Sequence, residues 1–82
     1  MNKVKVLFFA TLRTRAERRE IDLELPDDIT VGDLKTILIA QIPALEASLP
    51  STLVSLNREF AFDEETIPAG AEIALFPPVS GG

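Results

Sequence analysis

The sequence predicts an α+β domain in which one main helix covers one face of a small mixed β-sheet. Two observations lead to this prediction. Apolar and polar residues alternate near the start of the chain and again near its end, which is the period of β-strands. Between these regions apolar residues recur every three or four positions, which is the period of a helix. The chain has 82 residues, enough for one domain with a modest core.

The first two predicted strands form an antiparallel hairpin. In KVKVLFFA, Val4, Val6 and Phe8 fall on one face, whereas Leu7 and Phe9 fall on the other. EIDLEL alternates more regularly and is followed by a proline, which ends a strand. The Arg-rich connection between them, Arg13 to Arg19, is interpreted as a solvated loop.

The central segment, DDITVGDLKTILIAQIP, is predicted to be the main helix. Thr30 is a favourable N-cap, and Asp33 three residues later resembles a capping box. Pro43 is expected to stop the helix near Ile42. The expected core-facing stripe consists of Val31, Leu34, Leu38 and Ile42.

Three further strands are expected in TLVSLN, FAF and EIALF. NRE joins the first two by a turn, and PAG is a tight turn in which Gly70 takes a positive φ. If the first and last strands pair in parallel, the helix belongs to their crossover. This arrangement is the β-grasp, or ubiquitin-like, fold. It is expected to occupy residues 1–76, followed by an extended tail over residues 77–82.

Charge and composition exclude several function classes. Residues 1–19 carry a net charge of +5, whereas residues 20–82 carry −10, so the body of the domain suits a partner with a basic face and not nucleic acid. The chain lacks Cys and His, so the ordinary nucleophile–base pairs cannot form. Asp63, Glu64 and Glu65 are read as a solvated loop, and no metal site is expected. The apolar run at the start breaks at Arg13, so it is read as a strand of a cytoplasmic protein without a membrane segment.

The closing FPPVSGG has the composition of a tether for covalent chemistry. Pro77 and Pro78 cannot extend a sheet ladder, and they favour an extended chain that could reach about 18 Å beyond Phe76. Glycine lets a backbone approach closely inside a confined site. A terminal carboxylate is ionised and inert at pH 7, so chemistry at Gly82 would require activation. The alternative is that the two glycines end the chain by chance.

KVKVLFFATLR, TVGDLKTIL and ALFPPVSGG resemble the small subunit of molybdopterin synthase, a sulfur-carrier protein. The resemblance covers essentially the whole chain. It implies that a ubiquitin-activating-type enzyme uses ATP to adenylate Gly82, and that a sulfur donor then gives a thiocarboxylate there. It also implies that the tail enters the large subunit of a heterotetramer, where the sulfur passes to cyclic pyranopterin monophosphate. The residues inserted would be Pro77, Pro78, Val79, Ser80 and Gly81.

The resemblance makes this chain a non-catalytic subunit that binds no cofactor and is active only with the large subunit. The exposed sheet face, with Leu7, Phe9, Phe76 and also Phe60, is expected to bind that partner. Alternatives are a sulfur carrier of the thiamine pathway, a ubiquitin-related modifier of protein lysines, or an interaction module with an incidental tail.

Overall fold

The computed structural model describes residues 1–78 and contains two α-helices and five strands. Two short 3₁₀ segments, Pro43–Leu45 and Leu49–Ser51, follow the second helix. In chain order the helices and strands are β1 (Asn2–Phe8), α1 (Ala10–Ala16), β2 (Glu20–Leu25), α2 (Val31–Gln41), β3 (Leu53–Leu56), β4 (Glu59–Ala61) and β5 (Glu72–Phe76).

The five strands form one sheet in the order β2-β1-β5-β3-β4. The two central strands, β1 and β5, are parallel, with Val6 opposite Ile73 and Phe8 opposite Leu75. The other three pairs are antiparallel. A parallel central pair flanked by antiparallel strands, with the main helix in the connection between them, is the β-grasp fold that the sequence predicts.

Helix α2 begins and packs as its sequence predicts. The Oγ1 atom of Thr30 accepts a hydrogen bond from the Asp33 N–H, at 3.2 Å, and Asp33 Oδ2 accepts one from the Thr30 N–H, at 3.1 Å. This capping box satisfies two backbone donors at the helix start. Of the predicted stripe, Ile42 is half-buried, whereas the other three side chains are fully buried against the sheet.

The prediction of a loop over Arg13–Arg19 is wrong, because most of this connection is helix α1. Leu12 and Ala16, four residues apart, lie on one face of α1 and are buried in the core. The helix ends at Ala16, and the residue that caps it, Glu17, has a left-handed backbone with φ 58°. The arginines are exposed, as the loop interpretation expected, but they lie on a helix and on the short connection to β2.

The tight turns follow the sequence closely. Asn57 and Arg58 join the paired residues Leu56 and Glu59, and both have positive φ, 49° and 73°. Two central residues with positive φ form the type I′ turn, whose twist suits a two-residue hairpin. Gly70 has φ 67°, as the PAG motif predicts.

The acidic segment at residues 63–65 is exposed, as predicted, but it is tied to α2. The Gly32 N–H donates to the backbone oxygen of Asp63, at 2.9 Å, and the Asp63 carboxylate pairs with Lys35. Within residues 1–78, no helix is both long and apolar enough to cross a membrane.

Candidate functional site

The sheet face that points away from α2 carries a cluster of large apolar side chains at one end. Phe9 and Phe76 stack with ring centroids 4.8 Å apart and planes 12° from parallel. Phe60 meets Phe76 edge-on, with centroids 6.2 Å apart. Together with Leu7, these rings form what we call the aromatic patch, which surrounds a depression of about 300 Å³.

The aromatic patch results from strand alternation. The neighbours of the patch residues along the chain point to the core: Phe8, between Leu7 and Phe9, is 2% exposed, and Leu75, before Phe76, is buried, whereas Phe9 is 41% exposed. Phe60 lies on the edge strand β4 and is 74% exposed. The structure thus brings together all four residues that the sequence assigns to a partner surface. Large apolar groups gathered on an exposed face are a common mark of an interface.

The C-terminal segment leaves the domain beside this patch. Strand β5 ends at Phe76, which pairs with Leu53 of β3. Pro77 is half-buried and Pro78 is exposed, and neither can donate to the sheet ladder. The remaining predicted site residues, Val79, Ser80, Gly81 and Gly82, lie outside the described residues.

The other end of the same sheet face is charged. Lys5 Nζ lies 3.2 Å from a Glu20 carboxylate oxygen, and Lys3 pairs with Glu24 at 3.8 Å. The hydrogen bond from Lys5 to Glu20 raises the pKa of Lys5 above its usual value, with further contributions from the charges of Glu20, Asp22 and Glu72. The exposed sheet face therefore has a charged end and an apolar end, and the C-terminal segment leaves from the apolar end.

The structure has a second depression, of about 550 Å³, that the sequence does not predict. It lies between α2 and the β3–β4 hairpin and is bordered by Lys35 and by Phe62, which is 78% exposed. Lys35 is only 8% exposed, and its ammonium donates to the Thr52 carbonyl oxygen at 3.1 Å. No pattern in the sequence marks this lysine, because it shares a helix with apolar core residues and its partners come from distant segments.

The described residues offer binding surfaces more than catalytic groups. In residues 1–78, no three acidic side chains converge as a metal site would require. No polar side chain there is both fully buried and without a hydrogen-bond partner. The distinctive features are the aromatic patch and the proline segment that follows it.

Known proteins with similar sequences share this architecture. The sequence model described as the ThiS family matches residues 6–82. The molybdopterin synthase sulfur carrier subunit of Chlamydomonas reinhardtii is 38% identical over 82 residues, covering 98% of this chain and 99% of that protein. Small archaeal modifier protein 1 of Haloferax volcanii is 39% identical over 82 residues, covering 90% and 94%. A crystal structure of that modifier superposes with a TM-score of 0.85 at 34% identity, covering 96% of this chain and all of the other. The match to the family model and the similarity to sulfur carrier subunits along nearly the whole chain show that this protein belongs to the ThiS family.

Proposed function

We propose that this protein is a sulfur carrier of molybdenum cofactor biosynthesis, the small subunit of molybdopterin synthase. The observation that carries the proposal is the match to the ThiS family, which continues through the C-terminal segment to Gly82. Similarity to proteins named as sulfur carrier subunits of that synthase, over nearly the full length of both chains, supports the same role. The aromatic patch supports it as well, since it offers a partner surface where the C-terminal segment leaves the domain.

The proposed chemistry takes place at the carboxylate of Gly82. A carboxylate is a poor acyl donor at neutral pH because it is ionised. A ubiquitin-activating-type enzyme binds ATP: a carboxylate oxygen attacks the α-phosphate, and pyrophosphate leaves. Sulfur at the oxidation level of sulfide, delivered by a donor, then attacks the acyl carbon, the bond from that carbon to the adenylate oxygen breaks, AMP leaves, and a thiocarboxylate remains.

The partner that receives this sulfur is the large subunit of molybdopterin synthase, as the small subunit alone is not catalytic. The aromatic patch binds it, and residues 77–82 enter its active site, where the sulfur passes to cyclic pyranopterin monophosphate. Patch and segment act together because they are contiguous at Phe76. The domain orients the segment, and glycine allows close approach of the backbone.

Intact-mass measurement after incubation with an activating enzyme, ATP and a sulfur donor tests the proposal. The expected product is heavier by the exchange of one oxygen for one sulfur. Deletion of Gly82 should abolish the product, and one alanine added after Gly82 should do nearly the same, because it moves the reacting carbon by about 3.5 Å. Both variants should melt like the wild type, as they change nothing in the sheet. A sulfur-bearing product at near wild-type rate from the extended variant would refute the proposal.

A second candidate is a ubiquitin-related modifier that is joined to protein lysines. The similarity to small archaeal modifier protein 1 over nearly the whole length favours it. Activation of the carboxylate is common to both roles, so the product distinguishes them. A covalent adduct linking Gly82 to a lysine of another protein would support the modifier, whereas a thiocarboxylate without adducts would support the carrier alone.

A further inference from the structure

The four arginines that the proposed function leaves unused differ from the other cations of the domain. Arg13, Arg15, Arg18 and Arg19 are exposed, and none forms an ion pair with a carboxylate of residues 1–78. In that part of the chain each of the other basic side chains has a carboxylate partner: Lys3 with Glu24, Lys5 with Glu20, Lys35 with Asp63, and Arg58 with Glu72. We call the four unpaired residues the arginine cluster. Arg18 Nε donates a hydrogen bond to the Ala16 carbonyl oxygen, at 3.2 Å, but no carboxylate of residues 1–78 neutralises the charge of the cluster.

The arginine cluster lies at the end of the sheet from which the C-terminal segment leaves. The backbone oxygen of Arg19 accepts a hydrogen bond from the Phe8 N–H, at 2.8 Å, and Phe8 pairs with Leu75 near the end of β5. Phe9, the N-cap residue of α1, stacks on Phe76. The helix that carries Arg13 and Arg15 therefore starts next to the aromatic patch, at the same end of the sheet.

The charge of the arginine segment differs from that of the rest of the domain. Residues 13–19 carry four arginines and Glu17, a net charge of +3, whereas the other residues together carry −8, so the cluster is a basic region on an acidic protein. An acidic surface would attract the arginine end of such a molecule and repel the rest. This field orients the protein before contact, and oriented encounter raises association rates. Nucleic acid fits less well, because the net charge of −5 opposes it and no exposed aromatic is interleaved with the arginines.

We infer that the arginine cluster is a docking surface for an acidic region of a partner protein, next to the opening that receives residues 77–82. The inference rests on the proposed function, because it assumes that a partner takes up this segment. Beyond the proposed function, it states that the partner surface is acidic and that α1 carries residues that bind this surface. The arginine cluster raises the rate of association and orients the C-terminal segment toward the opening, whereas the aromatic patch supplies most of the affinity.

Stopped-flow association with the molybdopterin synthase large subunit of the same organism tests this inference with two charge-matched variants. R13Q/R15Q removes two charges from the cluster, and K3Q/K5Q removes two from the far end of the sheet face. Each takes the formal net charge from −5 to −7. Glutamine keeps a helix propensity close to that of arginine, so α1 should persist. We expect R13Q/R15Q to associate about three- to tenfold more slowly than wild type at low salt.

Salt and the control variant make the result specific. The difference should vanish as salt rises from about 0.01 M to about 1 M, since the screening length falls from about 30 Å to about 3 Å. K3Q/K5Q should differ from wild type by less than about twofold. Equal slowing of both variants would overturn the inference, because net charge alone would then explain it. A normal rate for R13Q/R15Q, with loss of binding to an RNA oligonucleotide instead, would also overturn it. Absence of any wild-type complex would overturn the proposed function, and this inference with it.

Discussion

The ammonium of Lys35 lies 3.0 Å from the carboxylate of Asp63 and 3.1 Å from the carbonyl oxygen of Thr52. One side chain of α2 thereby joins the start of β3 to the acidic segment after β4. The Lys35 side chain is only 10% exposed, whereas that of Asp63 is 55% exposed. Water therefore competes more strongly with the ion pair between Lys35 and Asp63 than with the hydrogen bond between Lys35 and Thr52.

Lys35→Met should lower the free energy of unfolding by about 1–3 kcal/mol, because it removes a buried hydrogen bond but keeps the apolar stem. Asp63→Asn should cost less than about 1 kcal/mol, since its carboxylate is largely solvated. Urea unfolding of both variants measures these values. An equal loss in the two variants would show that the ion pair, and not the bond to Thr52, is the main contribution.

Replacement of Phe9 or Phe76 by alanine should weaken binding to the large subunit much more than it lowers stability. Loss of the stacked pair should cost folding about 1 kcal/mol. Loss of a central interface anchor should cost binding about 2–4 kcal/mol, or roughly 30- to 1,000-fold in affinity. Calorimetric titration and thermal melting separate the two effects. Phe62→Ala is the control, as Phe62 is exposed and outside the aromatic patch. Equal losses of binding and stability would contradict the assignment of the patch as an interface.

Leu12→Ala should lower the free energy of unfolding by about 2–5 kcal/mol, because Leu12 is fully buried and its truncation leaves a cavity. Arg15→Ala, on the exposed face of the same helix, should change it by no more than about 0.5 kcal/mol. Circular dichroism during denaturation compares the two variants. If Leu12→Ala were as stable as Arg15→Ala, α1 would not be part of the core.

The free energy of unfolding should decrease slightly at alkaline pH because Lys5 loses its charge. Its partner Glu20 raises the pKa of Lys5 in the folded state above the unfolded value of 10.5. The contribution is therefore complete below pH 10.5 and is lost as the pH rises through the higher folded value. Lys5→Met should lack this decline, which urea midpoints measured between neutral and alkaline pH would reveal. A parallel decline in wild type and variant would assign the effect to other groups.

The sequence predicts the strands, α2 and the aromatic patch because each follows from a local rule. Alternation places Phe9 and Phe76 on the exposed face, and the capping box marks the start of α2. Helix α1 could not be recognised in the same way. Only Leu12 and Ala16 of its seven residues are buried, so its apolar period is too short to stand out from the arginines around it.

Contacts between side chains that are distant in the chain could not be predicted from the sequence either. Lys35 is buried because Thr52 and Asp63 converge on it, and neither residue lies near it in the chain. The unpaired state of the arginine cluster likewise depends on where the carboxylates fall in space. Composition shows that arginines are frequent in this segment, but only the fold shows that they lack carboxylate partners among the described residues.

The parallel pairing of β1 with β5 affects the order of events during synthesis. Asn2 bonds to the Pro68 carbonyl oxygen across 66 positions, and the central strands meet only after β5 has left the ribosome. Such distant pairing makes folding slow compared with that of local structures. The Phe9–Phe76 stack joins these two strands, so it exists only in molecules whose sheet is complete. A partner that binds through this stack therefore binds only those chains in which the sheet is complete, and it does not bind unfinished or misfolded chains.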